Sequence, residues 1–94
     1  MISIIAELGI NHQGDLGIMK SLMSAAKACG VNYVKGQKRE PKEYLTQEQY
    51  NSPYDNPNSF GKTYGEHKEA LEFSVDEWKE LFRYAKEINI NLFT

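Results

Sequence analysis

The sequence predicts an α/β fold built on parallel strands, and three observations carry that prediction. A short, β-branched apolar run opens the chain, a helical stripe of apolar residues follows it, and a second such stripe begins at a serine-led cap near position 74. Over 94 residues the order reads strand, helix, strand, long loop, helix, strand.

Residues Ile2 to Leu8, ISIIAEL, are too short for a helix and too continuous for a half-exposed strand. Such a run suits a strand buried on both faces, as in parallel sheets, and Ile2–Glu7 is the predicted strand. Gly9 and Gly14 bracket a polar turn. After Asp15, residues Leu16, Met19, Leu22, Met23 and Ala26 recur at the three-and-four spacing of one helix face. Lys20 and Lys27 lie off the stripe, and Gly30 is a natural left-handed stop. This predicts a helix over Leu16–Cys29, with Cys29 as a small buried apolar residue. Val31–Lys35 reads as a second strand. The helix between two strands imposes parallel pairing and a right-handed crossover.

From Gln37 to Phe73 the periodicity breaks down. All three prolines fall here, among Asn, Ser, Asp and Gly. A connection of this length is uncommon in a compact domain and is usually functional or disordered. Tyr44, Tyr50, Tyr54, Phe60 and Tyr64 recur through it and argue against disorder. The segment is therefore expected to be an ordered excursion that covers something, with a helical turn around Thr46–Tyr50. Ser74-Val-Asp-Glu77 is a capping box, and Phe73 is placed to staple onto Trp78. Val75, Trp78, Leu81, Phe82, Ala85 and Ile88 predict the helix Val75–Ile88, and Ile90–Phe93 predicts a third strand.

Composition excludes several classes. Eleven basic residues against 13 acidic ones give a net charge of -2, which does not attract nucleic acid or acidic lipid. One cysteine makes neither an intrachain disulfide nor a Cys-rich zinc site. No apolar run is long enough to span a bilayer. The first residues lack a basic region and meet an acid at Glu7, unlike a signal peptide; the expectation is a cytoplasmic chain.

Three parallel strands with two helices are expected to be part of something larger, because parallel strands need both faces covered and their edges paired. Eight repeats of the pattern would close a barrel of roughly 250 residues; the alternative is an open doubly wound sheet. The spacing of Gly9 and Gly14 does not match a dinucleotide-binding turn. In a barrel, chemistry sits at the carboxyl ends of the strands. Glu7, Asn11 and His12 follow the first strand, Lys35 and Gln37 the second, with Lys38 and Arg39 beyond and Thr94 after the third. Glu7 and Lys35 stand out within apolar strands, since buried charge is costly unless paired. Two readings stay open at this level: a site on one rim, or two neighbours that neutralise each other.

The stretches IAELGINHQGDL and AAKACGVNYVKGQKRE resemble the amino-terminal signature of the sialic acid synthase family, which includes N-acetylneuraminate synthase and its legionaminic, pseudaminic and spore-coat polysaccharide relatives. YLTQEQYNSPYDNPNSFGKTYGEHKEALEFSVDEW resembles the loop and helix that follow in bacterial members. The resemblance implies that residues 1–94 are the amino-terminal segment of a TIM-type (β/α)8 barrel, with the rest of the barrel and an antifreeze-like domain absent. It implies condensation of phosphoenolpyruvate with an N-acetylated hexose of the N-acetylmannosamine type to a nonulosonic acid plus phosphate. It also implies a divalent metal, Mn or Mg, in the complete enzyme, and a domain-swapped homodimer.

Carried over residue by residue, Glu7 matches the glutamate that stabilises the oxocarbenium or assists the attacking water. Lys35 matches the lysine that pairs with the phosphoenolpyruvate phosphate. Gln37 matches a pocket amide near the sugar and the metal-bound water, and Asn11 and His12 match the motif turn, where His12 either meets substrate or orients Glu7 or the turn. The loop's sugar-contacting asparagine corresponds to Asn56 or Asn58. Gly36 departs from the family, which usually has a bulkier residue there, often Phe. His12 and His67 are the only histidines, and neither matches the family's metal motif; no metal ligand is assigned and tight metal binding is not expected. The chain alone is expected to be inactive and to need the remainder of the barrel, supplied in one chain or as a separate one. The alternatives are a non-catalytic remnant or binding module of the same fold, and another phosphoenolpyruvate-using or aldolase-type barrel, against which the paired motif argues.

Overall fold

Strand β1 is Ile5–Gly9, β2 is Tyr33–Gly36 and β3 is Asn91–Phe93, in a computed structural model that describes residues 2–94. They form one sheet in the order β1-β2-β3, both pairings parallel. Ile5 pairs with Tyr33, and Tyr33 with Asn91; Glu7 pairs with Lys35, and Lys35 with Phe93. The first strand starts later than its sequence predicts. Ile4 is tied instead to the approach to β2, its N–H donating to Asn32 Oδ1 at 2.8 Å and its carbonyl accepting from Asn32 and Tyr33.

Helix α1 spans Leu16–Ala28. The Asp15 carboxylate caps it by accepting from Ile18 N–H, and Gly30 turns the chain away at φ +84°. Cys29 is the capping residue and is exposed, contrary to its expected burial. The helix has run past the sheet there: a side chain built at Gly30 would meet open space.

A second unit, Lys38–Glu72, separates β2 from the rest of the sheet unit in sequence. It holds three short helices: α2 (Pro41–Tyr44), α3 (Gln47–Tyr50) and α4 (Tyr64–Ala70). A capping box between Thr46 and Gln49 makes α3, the turn predicted from sequence. Helices α2 and α4 were not legible as elements, because neither carries an apolar stripe. Inside this unit Gly65 lies under the Tyr50 ring, so closely that a Cβ would sit 2.1 Å from Cδ2. The Tyr50 hydroxyl donates to Glu69 at 2.5 Å, and that bond pushes the phenol up to about 12. An antiparallel bridge joins Pro53 to Thr63.

Helix α5, Val75–Glu87, starts at the Ser74–Glu77 capping box. Met19, Met23 and Ala26 of α1 and Trp78, Leu81 and Ala85 of α5 share one core with Leu8, Val34, Phe73 and Ile90. Full burial of a side chain such as Leu81 or Met19 is worth about 1.5–3 kcal/mol. Polar rungs bind the two helices, Lys20 to Glu80 at 2.9 Å and Ser24 to Tyr84 at 2.6 Å, and Lys27 Nζ reaches the Asn89 carbonyl just beyond α5 at 2.9 Å.

Both long helices pack on the same face of the sheet. Neither of these helices packs on the opposite face, so β1 is buried on one side only, not on both as its apolar run suggests. Ile5 is 53% exposed, and with Tyr33, Asn91, Leu92 and Phe93 it lines an open apolar hollow of about 330 Å³. No helix among the described residues is long and apolar enough to cross a membrane.

Candidate functional site

The sheet face away from α1 and α5 carries the charged pair. Register partners on parallel strands point the same way, and Glu7 and Lys35 are partners. Lys35 Nζ lies 3.5 Å from Glu7 Oε2. The lysine side chain is 45% exposed and the glutamate 57%, so the burial cost that the sequence suggests does not arise. An exposed pair of this kind contributes only about 0–1 kcal/mol to stability. Its presence on the sheet is therefore not explained by folding.

A β-bulge shapes the end of β1. Glu7 opposes Lys35 and Gly9 opposes Gly36, so two steps on β1 match one on β2. Gly9 adopts φ +54°, and its N–H turns back to Glu7 Oε1 at 3.2 Å. A Cβ at Gly9 would lie 3.8 Å from Glu7 Oε1 and 4.0 Å from Gln37 Oε1. The bulge thus brings the Glu7 carboxylate and the Gln37 amide to one point, with the Lys35 ammonium on the other carboxylate oxygen. Sequence reasoning placed these three residues on one rim but did not find the bulge; Gly9 was its only signal.

Asn11 and His12 play a different part. Asn11 is exposed, and its Nδ2 donates to the Leu8 carbonyl at 3.0 Å, closing the turn after the bulge. His12 does not open onto the rim. It is 1% exposed, its ring lies 4.2 Å from the Phe73 ring, and its Nδ1 accepts the Gly14 N–H at 2.9 Å. With Nδ1 accepting, the neutral ring carries its proton on Nε2, which is buried without a hydrogen-bond partner. Burial pushes the imidazole below its ordinary proton affinity. The His12 ring thus packs on Phe73 and braces the turn that holds Asn11, the orienting arrangement of the two that the sequence leaves open.

Beyond the rim, Lys38 is engaged within its own unit, 3.1 Å from Glu40 and 3.9 Å from Glu72. Among the described residues no group of three or more His, Cys, Asp or Glu side chains gathers to hold a metal ion. Both histidines also commit Nδ1 to a backbone N–H, His12 to Gly14 and His67 to Phe60. Neither histidine therefore has Nδ1 free for a metal ion.

The NeuB family model matches residues 22–94. The chain belongs to the NeuB family. Among its NeuB-type relatives, N-acetylneuraminate-9-phosphate synthase of Homo sapiens is 49% identical over 87 residues, which are 93% of this chain and 24% of that protein. N,N'-diacetyllegionaminic acid synthase of Campylobacter jejuni is 33% identical over 88 residues, 93% of this chain and 26% of that protein. The crystal structure of N-acetylneuraminic acid synthetase from Leptospira borgpetersenii, in complex with citrate, superposes with a TM-score of 0.67 at 28% identity. The match covers 98% of this chain and 28% of that one. This NeuB chain thus spans about a quarter of the length of the relatives it matches.

Proposed function

We propose that this chain contributes the first three strands of a (β/α)8 barrel in a synthase that condenses phosphoenolpyruvate with an N-acetylated hexose. The observation that carries the reading is the exposed Glu7–Lys35 pair with Gln37 beside it, set on the sheet face away from α1 and α5. A pair that adds little to stability yet projects from the centre of a parallel sheet is suited to ligands.

Each residue has a role matched to its chemistry. The Lys35 ammonium, a compact point charge, holds the phosphate of phosphoenolpyruvate. C3 of that substrate attacks the open-chain aldehyde, water adds at C2, and phosphate leaves by C–O cleavage. Positive charge develops at C2, and the Glu7 carboxylate stabilises it or accepts a proton from the attacking water. The Gln37 amide orients the sugar. His12 and Asn11 act as positioning residues by fixing the turn that follows Glu7.

The names of the relatives bear on the choice of sugar. A nine-carbon acid made from a three-carbon and a six-carbon unit takes its C9 from hexose C6. Relatives at 49% identity are named for a 9-phosphate product, which points to an N-acetylhexosamine 6-phosphate as a substrate to set beside the unphosphorylated sugar.

The partner in this reading is the remainder of the barrel. It would pair with the free edges of β1 and β3, cover the apolar hollow at Ile5, Tyr33 and Phe93, and bring the divalent metal that this chain's own residues do not hold. Assembly as a homodimer in the cytoplasm belongs to the same reading. The test is complementation: the 94-residue chain, with a NeuB-type synthase lacking its corresponding segment, is assayed for nonulosonic acid with either sugar. Product from the mixture and none from either part alone is the expected result. A mixture that associates without making product favours a non-catalytic module of the same fold.

A further inference from the structure

We propose that His67 latches the Pro53–Thr63 hairpin and that its protonation releases the latch, so that this segment opens in mild acid. The latch lies wholly within the Lys38–Glu72 unit and does not depend on the synthase reading. The Phe60 N–H donates to His67 Nδ1 at 3.1 Å. The ring is 8% exposed, with Tyr54 4.4 Å from it and Phe60 stacked at 5.8 Å and 27°. One imidazole thus joins α4 to the hairpin through a hydrogen bond and two aromatic faces. The hairpin lines an open hollow of about 540 Å³ with Tyr54, Asp55, Asn56, Ser59, Gly61 and Lys62, and that hollow lasts only while the segment stays folded back.

A protonated imidazole has no acceptor. Once His67 gains a proton, Nδ1–H and the Phe60 N–H face each other as two donors, and the bond that joins α4 to the hairpin is lost. The surrounding groups do not offset this. On α4, Lys68 opposes the new charge, Tyr64 packs on Tyr54, and the Glu66 carboxylate accepts from Lys62 N–H at 3.0 Å. On the hairpin the titratable groups are Tyr54, Asp55 and Lys62, and no carboxylate among the described residues bonds the ring. Burial and Lys68 both hold His67 below its usual 6.5. The sign follows: the closed state favours the neutral ring, so the latch is at full strength above 6.5 and is lost as pH falls through the closed-state value.

The test is amide hydrogen exchange by NMR on the whole 94-residue chain from pH 8 to pH 5, corrected for intrinsic exchange. Between the open-state and closed-state values, protection at Phe60 and Tyr54 should fall by about tenfold per pH unit. His67→Asn keeps an acceptor near the Nδ1 position but does not titrate, and its protection should stay flat. Unchanged wild-type protection while the ring titrates, or an equal slope in the Asn variant, overturns the proposal. If that variant does not fold, the wild-type titration decides alone. Phe60 protection that levels off at the pH where the His67 ring nitrogens titrate supports the latch, and a fall that continues beyond it refutes the latch.

Discussion

Gly36 lies directly beneath the Trp78 indole: a Cβ at position 36 would stand 2.7 Å from Cη2 and 3.3 Å from Cζ3. A ring reaching across from α5 occupies the space that a side chain at position 36 would fill. Trp78 packs edge-on against Phe73 at 5.9 Å, and Phe73 in turn meets His12. The tryptophan supplies the volume that the strand residue lacks.

Gly36→Ala should therefore destabilise the fold by about 1–3 kcal/mol, because the indole cannot retreat without opening the core. Urea unfolding followed by far-ultraviolet circular dichroism, a probe that survives the loss of Trp78, measures it. Gly36→Phe alone should be worse, and Gly36→Phe with Trp78→Ala should recover part of the loss. Strict additivity of the two changes would show that the ring and the glycine are not coupled.

Glu7→Gln separates folding from chemistry. Since the Glu7–Lys35 pair is exposed, stability should change by less than about 1 kcal/mol. In the complemented synthase, turnover should drop roughly 10²- to 10⁴-fold while substrate binding holds. Near-normal turnover would remove Glu7 from the reaction.

For Lys35→Ala the defect should fall on binding. Loss of a charge-assisted contact to phosphate costs about 1.5–3 kcal/mol, or roughly ten- to hundredfold in the KM for phosphoenolpyruvate. An unchanged KM with reduced kcat would contradict the assigned role.

Acid should loosen the α1–α5 edge. Hydrogen bonds from Arg83 and Lys20 pull the Glu80 carboxyl down from 4.5 to about 2. Its contribution is complete above 4.5 and is lost as pH falls toward 2. Glu80→Gln should flatten that limb of a plot of melting temperature against pH. Added salt should reduce the difference between the two proteins, because the cluster is open to solvent.

The long helices and the parallel order were legible because their signals are local: Asp15 and Ser74 cap, Gly30 stops, and Met19, Met23, Leu81 and Ala85 repeat at helical spacing. Glu7, Lys35 and Gln37 were legible because polar residues at strand ends are conspicuous. What escaped depends on contacts distant in sequence. The Gly36–Trp78 packing joins residues far apart in the chain, and α4 rests on Gly65 accepting the Tyr50 ring. His12 offered no local sign of whether its ring would face Phe73 or the rim. The exposure of Ile5 reflects which face the helices chose, and a continuous apolar run does not encode that.

The bulge between Glu7 and Gly9 has an evolutionary corollary. Insertions and deletions are generally tolerated where a loop can absorb them, but here the count of residues is itself the geometry. Removing Leu8, the one residue between Glu7 and Gly9, would restore an unbroken ladder, take a buried side chain out of the core and pull in the turn that follows β1. The Gly9 N–H would no longer fold back onto the Glu7 carboxylate, and Gln37 would lose its neighbour at that point. Descendants of this sequence should therefore vary in side chain along β1 far more readily than in length.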